Sequence, residues 1–278
     1  MTLTVTEHPS KFANLEYVYP VFARRSGGLS LGINLNLNKA CNWRCIYCQV
    51  PGLKRGAPER VDLIKLESEL KYMLNIIINT DYLQQNLPQG FGRFDDIALA
   101  GDGEPTLSKD FFAVVNIIAK LKQQFNITNS VKTILISNGS EVNHVEVQNG
   151  LQALAQQNGL VWFKIDGTNV AETSQINQVQ VSGENIKHRL ELTAKLCPTV
   201  IQTCMFKINN RDPSEEQVQN YINLLKETKD NFQSVLLYTI ARVPQLPEGK
   251  NLTPVSLKFL QNIAQELHKF DIVVKCFV

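Results

Sequence analysis

The chain is dominated by a regular alternation of strand and helix patterns. Six short apolar runs are each followed by a stretch with the apolar spacing of an amphipathic helix, and one more short run closes the chain. The predicted strands are residues 29–38, 95–100, 131–137, 160–166, 199–208, 232–241 and 272–278. The predicted helices are residues 58–80, 108–125, 145–157, 183–196, 212–229 and 253–270. Strict alternation predicts an α/β fold with parallel strands and right-handed crossovers.

Six strand–helix units are too few to close an eight-stranded barrel. We therefore expect a partial (βα)6 TIM-like barrel of parallel strands. An open dinucleotide-binding sheet is the alternative, but no Gly-x-Gly-x-x-Gly follows the first strand. We expect an N-terminal extension over 1–28 and one core domain over 29–278, which ends in a short helix and strand. Ser108 and Asp212 are the expected N-caps of their helices, with Pro213 in the first turn.

The composition is that of an ordinary globular protein. Of 278 residues, 44% are hydrophobic and 19% charged, and the net charge of +2 is too small to indicate nucleic-acid binding by itself. The first 17 residues lack the basic start and apolar core of a signal peptide, and no window approaches the ~18–20 apolar residues of a membrane span. We therefore expect a cytoplasmic protein without a membrane partner. In that reducing compartment, the six cysteines are expected to be metal ligands or buried side chains.

Three of these cysteines stand in one loop after the first predicted strand. Cys41, Cys45 and Cys48 have the spacing Cys-x3-Cys-x2-Cys in the stretch "NKACNWRCIYCQVPG". Thiolates bind soft metals, so the loop predicts either a zinc ion or an iron–sulfur cluster.

A zinc site would need a fourth ligand from elsewhere in the chain. Cys197, Cys204 and Cys276 stand singly in or beside predicted strands and are expected to pack in the core, while His144 and His188 lie in predicted helices without a partner. A [4Fe–4S] cluster held by three cysteines would instead leave one iron open, as a reactive metal centre requires.

The cysteine spacing resembles the signature of the radical S-adenosylmethionine (radical SAM) superfamily, including the aromatic Tyr47 just before the third cysteine. The resemblance implies an enzyme in which Cys41, Cys45 and Cys48 are the metal-binding and catalytic residues. The open iron would bind the amino and carboxylate groups of S-adenosylmethionine (SAM). The reduced cluster would cleave SAM to methionine and a 5′-deoxyadenosyl radical, which abstracts hydrogen from the substrate.

Polar and glycine-rich residues end the other predicted strands, where the chemistry of such folds collects. The resemblance implies that many of them bind SAM: Gly101, Asp102, Gly103, Glu104 and Pro105, similar to a Gly-Gly-Glu-Pro motif; Asn138; Lys164 and Asp166, facing the SAM carboxylate and ribose; and Tyr47, against the adenine. A tight turn for the glycine motif, a buried Lys164–Asp166 ion pair and core packing of Tyr47 are the structural alternatives.

The substrate side is less defined. Asn34, Asn36 and Asn38 share a face of the first predicted strand with Gly32, and this face would line the barrel lumen unless the strand is an exposed edge. The expected substrate-facing residues are Asn36, Gln202, Tyr238 and Arg242, together with Arg24 and Arg25. Tyr238 and Arg242 would share strand parity, and the guanidinium could bind a phosphate or carboxylate.

Three segments are similar to the radical SAM enzymes of tRNA wyosine synthesis: "RRSGGLSLGINLNLNKACNWRCIYCQ", "ALAGDGEPTL" and "YTIARVP". Within these 278 residues, we expect neither a flavodoxin-like domain nor a cysteine set for a second cluster. The resemblance implies a tRNA base or a small molecule as substrate, and a low-potential electron donor such as flavodoxin or ferredoxin. Modification of a protein or peptide, including activation of a glycyl-radical partner, is the enzymatic alternative. An iron–sulfur electron carrier or a zinc-structured binding module is the non-enzymatic one.

Overall fold

The structure is a computed structural model that describes residues 14–23, 27–88 and 91–278, so Arg24 and Arg25 lie outside the described residues. The described strands are β1 (Val18–Ala23), β2 (Gly28–Ile33), β3 (Ala40–Cys41), β4 (Lys54–Arg55), β5 (Phe94–Leu99), β6 (Lys132–Ser137), β7 (Gly159–Lys164), β8 (Thr199–Ile208), β9 (Val235–Thr239), β10 (Leu252–Pro254) and β11 (Val274–Phe277). The described α-helices are α1 (Leu63–Asn79), α2 (Tyr82–Asn86), α3 (Phe111–Gln124), α4 (Val145–Ala155), α5 (Val170–Ile176), α6 (Gly183–Leu196), α7 (Glu215–Glu227) and α8 (Leu257–His268).

The main sheet confirms the predicted α/β half-barrel. Its order is β1-β2-β5-β6-β7-β8-β9-β11, and every pairing from β2 to β11 is parallel. Strand β1 pairs antiparallel with β2 at one end, and β10 pairs antiparallel with β8. Within the described residues, β1 and β11 are the two ends of this sheet. The carboxyl ends of the parallel strands therefore meet at one rim.

The two faces of β2 show how the sheet is oriented. Leu29, Leu31 and Ile33 are fully buried in the main hydrophobic core, which also contains the buried side chains of α1. Ser30 and Gly32, on the opposite face, line a cavity inside the half-barrel. The aliphatic face thus meets the helices, as predicted. Among the described residues, no helix has the length and apolar character needed to span a membrane.

Several predicted boundaries were wrong for local reasons. The first predicted strand, which is β2 of the structure, ends at Ile33 and not at residue 38, and a loop follows it. Helix α3 has Asp110 as N-cap, because Ser108 belongs to a short turn in which its hydroxyl accepts from the Asp110 N–H at 3.2 Å. Helix α7 has Ser214 as N-cap instead of Asp212.

The Ser214 side chain accepts from the Gln217 N–H, and the Gln217 side chain accepts from the Ser214 N–H, which forms a complete capping box. Helix α8 begins only at Leu257, since the preceding residues form β10. Helix α5 was not predicted.

A lysine is buried near the start of β6, at the end of the sheet opposite the rim. Lys122 of α3 is 0% exposed, and its ammonium donates to the Thr133 hydroxyl at 2.8 Å and to the Gln157 carbonyl at 2.6 Å. Burial lowers the pKa of the Lys122 amine from 10.5 to about 8.

This lowered pKa predicts a stability that rises in mildly alkaline solution. Between pH about 8 and 10.5, the unfolded lysine keeps its proton while the folded one has lost it, so the free energy of unfolding increases with pH. Lys122→Met removes the titration. Urea unfolding from pH about 7 to about 10 should show the native chain gaining stability relative to this variant. A difference that stays constant across this window would contradict the lowered pKa.

Candidate active site

The rim of the half-barrel opens into a cavity of about 620 Å³. Its wall contains all three loop cysteines together with residues from the ends of β5 to β9. Ligand pockets of proteins typically have volumes of about 300–1,000 Å³, so the cavity can hold a cofactor of moderate size. The predicted residues that line it are Cys41, Cys45, Tyr47, Cys48, Gly101, Asp102, Gly103, Glu104, Asn138, Lys164, Gln202, Tyr238 and Arg242.

The cysteine loop is fixed by backbone hydrogen bonds. Strand β3, which ends at Cys41, pairs with β4, and the Cys48 N–H donates to the Cys45 carbonyl at 2.9 Å. The two residues that flank Cys45 are bonded to the end of α5. The Arg44 N–H donates to the Asn177 carbonyl at 3.0 Å, and the Ile46 N–H donates to the Ile176 carbonyl at 2.8 Å. The three thiols are therefore held by a preformed loop.

Each of the three sulfur atoms has a hydrogen-bond donor nearby, and at Cys41 the donors are the backbone N–H groups of Trp43 and Glu104. The Asn177 amide donates to Cys45 Sγ at 3.2 Å, and the Val50 N–H lies 3.5 Å from Cys48 Sγ. Burial raises the pKa of the Cys41 thiol to about 11 and that of Cys45 to about 12, and it also raises the pKa of Cys48. The described chain does not gather three His, Cys, Asp or Glu side chains around a single-ion position.

The glycine motif after β5 packs directly on the start of the cysteine loop. Gly101 has φ 148°, which side chains rarely adopt, and a Cβ there would lie 2.6 Å from Asn34 Oδ1. A Cβ on Gly103 would lie 2.2 Å from the Ala40 carbonyl oxygen. Asn34 also exchanges hydrogen bonds with Asp102, through its amide at 2.9 Å and its carbonyl oxygen at 3.1 Å. These contacts fix the motif relative to the cysteines.

Glu104 connects the ends of neighbouring strands. Its carboxylate accepts from the Ser137 hydroxyl at 2.9 Å, the Asn138 N–H at 2.7 Å, and the hydroxyl and N–H of Thr106. Burial raises the pKa of the Glu104 carboxyl, and these hydrogen bonds limit the rise. The side chain thus holds Asn138 at the rim, where its amide also donates to Asn42 Oδ1 at 3.1 Å.

Lys164 and Asp166, both predicted to face SAM, form the ion pair that was the structural alternative, but the two side chains have different surroundings. The Lys164 ammonium lies 3.5 Å from Asp166 Oδ2 and 4.9 Å from the centre of the Tyr47 ring, and it lines the cavity. The Asp166 side chain is 0% exposed and accepts from Tyr47, Asn177 and the Cys204 N–H. A contact between Asp166 and a ribose, as predicted, would require this network to open.

Electrostatics keep the Lys164 amine protonated. Burial alone would lower its pKa, but Asp166 and the neighbouring tyrosine and cysteine side chains outweigh burial and raise the pKa. Burial and Asp166 raise the pKa of the Tyr47 hydroxyl well above its ordinary value. A cation therefore lines the same cavity as the loop cysteines.

The substrate-side predictions have mixed surroundings. Gln202, Tyr238 and Arg242 line the cavity, although β9 ends at Thr239, so the strand parity assumed for Arg242 was wrong. Asn36 is 1% exposed, and its amide donates to the carbonyls of Ala40 and Glu104 at 2.9 and 3.3 Å. The substrate contact of Asn36 therefore stays a prediction. The observed hydrogen bonds of its amide hold the segment that leads into Cys41 against the glycine motif.

Sequence reasoning missed several residues of the site. Asn177 follows the unpredicted α5 and contacts Cys45 and Asp166. Tyr19 of β1 lines the cavity, and Gly32 leaves room for its ring, since a Cβ there would lie 2.3 Å from Tyr19 Cζ. Cys204, expected to pack in the core, is 3% exposed and also lines the cavity. These contacts join residues distant in sequence, and no local motif signals them.

Comparison with known proteins gives sequence relatives over part of the chain. No protein-family model matches the chain. A UPF0026 protein of Helicobacter pylori is 28% identical over 167 residues, which cover 59% of this chain and 47% of that protein. The chain spans about half the length of the curated UPF0026 relatives it matches.

Solved structures match most of the chain. TYW1 with a lysine-pyruvate adduct bound has a TM-score of 0.57 at 16% identity, covering 86% of this chain and 73% of the other. A radical SAM methyltransferase from Sphaerobacter thermophilus has a TM-score of 0.62 at 12% identity, covering 94% and 68%. The enzyme anSMEcpe with bound AdoMet has a TM-score of 0.57 at 20% identity, covering 89% and 63%.

The fold is that of the radical SAM enzymes. The resemblance seen in the cysteine loop is thus confirmed at the level of the fold, and so is the predicted partial TIM-like barrel.

The close packing of the glycine motif gives a testable prediction. In Gly103→Ala, the added Cβ would meet the Ala40 carbonyl oxygen at 2.2 Å and Asn36 Nδ2 at 2.7 Å, which are both part of the loop that leads into Cys41. We expect a loss of about 1–3 kcal/mol in the free energy of unfolding, measured by denaturant titration. The control is Gly92→Ala, whose Cβ meets nothing within 4 Å and which should change stability little. Equal effects of the two substitutions would contradict this packing.

Proposed function

We propose that this chain is a radical SAM enzyme in which Cys41, Cys45 and Cys48 bind a [4Fe–4S] cluster. The observation that carries the proposal is the position of the three thiols, which line one cavity together with the polar ends of parallel strands. A structural cysteine site would not need to open into a cavity of this size. A radical enzyme needs both the metal centre and a closed space for the cofactor and substrate.

The residues present fit such a cluster. Three thiols without a fourth cysteine in the loop match a cluster that keeps one iron open. All three sulfur atoms have N–H groups nearby, from the backbone of Trp43 and Glu104 at Cys41, from Asn177 at Cys45 and from Val50 at Cys48, and N–H donors stabilise thiolate ligands. When bound, the cluster supplies the electron that cleaves SAM to methionine and a 5′-deoxyadenosyl radical, which takes hydrogen from the substrate.

The chain's own residues then account for binding SAM. The cation of Lys164 at the cavity wall suits the SAM carboxylate, and the backbone of Gly101 to Gly103 can approach the amino group closely. Tyr47 is placed by Asp166 so that its ring covers the Lys164 side of the cavity. Glu104 and Asp166 act mainly by holding neighbouring residues in place.

For the substrate, we propose a tRNA base or a small molecule that reaches Gln202, Tyr238 and Arg242. The three segments similar to wyosine-synthesis enzymes support this choice. A low-potential electron donor, such as flavodoxin or ferredoxin, is the proposed protein partner.

Anaerobic reconstitution with iron and sulfide tests the cofactor. We expect the brown absorption of an iron–sulfur cluster, and release of 5′-deoxyadenosine when the reduced protein is given SAM. Cys45→Ala should lose the cluster, since one of three ligands is missing. Cys197→Ala is the matched control, because that thiol is 2% exposed in the core at the end of α6 and should leave the cluster intact. Retention of zinc without uptake of iron, or cluster loss in both variants, would refute the proposal.

The substrate class is tested by the nucleosides of tRNA. Cells with and without the protein should differ in at least one modified nucleoside, measured by mass spectrometry of digested tRNA. Identical nucleoside profiles would leave the cluster chemistry standing and exclude tRNA as the substrate. In the same cells, Arg242→Ala should reproduce the profile of the deletion, while its purified protein should still bind the cluster.

A further inference from the structure

Asn177 occupies a position between the cysteine loop and the Asp166 network. It follows α5 as its C-cap, and its N–H donates to the Thr173 carbonyl. Its own carbonyl accepts from the Arg44 N–H at 3.0 Å. The residue is 0% exposed, so neither its backbone nor its side chain can exchange these partners for water.

The side-chain amide contacts two acceptors at once. Asn177 Nδ2 lies 3.2 Å from Cys45 Sγ and 3.1 Å from Asp166 Oδ2. An amide nitrogen carries two hydrogens, so one can serve the sulfur and the other the carboxylate. The Asn177 Oδ1 atom is buried without a hydrogen-bond partner.

These contacts determine the orientation of the amide. If the amide were rotated by half a turn, its oxygen would face both the sulfur and the carboxylate, and three acceptors would meet without a donor. The observed orientation leaves only the oxygen unsatisfied. The two N–H groups of the Asn177 side chain therefore point at the Cys45 sulfur and at the Asp166 carboxylate.

We infer that Asn177 is a positioning residue that sets the reduction potential of the cluster through its hydrogen bond to the Cys45 sulfur. The inference rests on the proposed function. A hydrogen bond donated to a thiolate ligand stabilises the more negative, reduced cluster and so raises the potential. The second N–H separates the ligand sulfur from the Asp166 carboxylate, whose charge acts in the opposite direction.

The same amide gives the cluster a connection to the SAM side of the cavity. Asp166 Oδ2 accepts from Asn177 and from Tyr47, and it lies 3.5 Å from the Lys164 ammonium. Displacement of Lys164 or Tyr47 by a bound ligand would alter the charge that Asp166 presents to Asn177. The two hydrogen bonds of the Asn177 amide, to Asp166 and to the Cys45 sulfur, would transmit that change.

The test is the midpoint potential of the reconstituted protein, measured by a redox titration followed by electron paramagnetic resonance without SAM. Asn177→Leu removes both N–H groups at similar volume, and we expect a more negative potential than in the native chain. The control is Thr173→Val, on the same helix and 1% exposed, which loses hydroxyl bonds to backbone groups but leaves the amide and sulfur in place. This control should keep the native potential.

Asn177→Ala provides a second variant in case the leucine variant does not fold. Its methyl group cannot donate to the sulfur and adds no charge, so it should also lower the potential. An unchanged potential in a folded, cluster-loaded Asn177 variant would overturn the inference, as would an equal shift in Thr173→Val. Failure of the native chain to take up any cluster would instead contradict the proposed function itself.

Discussion

The buried carboxylate of Asp166 is the interaction on which the candidate site depends. It accepts hydrogen bonds from the cysteine loop through Tyr47, from the residue after α5 through Asn177, and from β8 through the Cys204 N–H, and it pairs with Lys164 of β7. A buried carboxylate is costly unless donors and a cation surround it. The Asp166 network therefore connects four segments of the chain: the cysteine loop, the residue after α5, β8 and β7.

The carboxylate of Glu104 likewise connects separate segments of the cavity wall. Its buried carboxylate joins the motif after β5 to Ser137 and Asn138 at the end of β6. Both acids were predicted as direct ligands of SAM, and both direct most of their hydrogen bonds to the protein itself. These parts of the cavity wall are thus prearranged, since Glu104 ties the end of β5 to that of β6 and Asp166 ties the end of β7 to β8 without any bound ligand.

Such prearrangement suits the proposed chemistry. A reactive radical must be formed in a space that keeps its position and excludes water. The three thiols lie on a loop held by β4 and by the carbonyls of Ile176 and Asn177 at the end of α5. Asn177 connects this loop, through Asp166, to the cation at Lys164.

The sequence by itself determined the parallel half-barrel and the place of its chemistry. Strand–helix alternation repeats every few tens of residues, and parallel strands necessarily bring their carboxyl ends to one rim. The cysteine spacing and the glycine motif are local patterns, so they could be read without a structure. Only the tertiary structure decided what Asn36, Glu104 and Asp166 contact, and that Asn177 and Tyr19 belong to the site. Contacts such as Asn36–Glu104, Asn177–Asp166 and Asn177–Cys45 join residues separated by 68, 11 and 132 positions, and such hydrogen bonds leave no periodicity in the sequence.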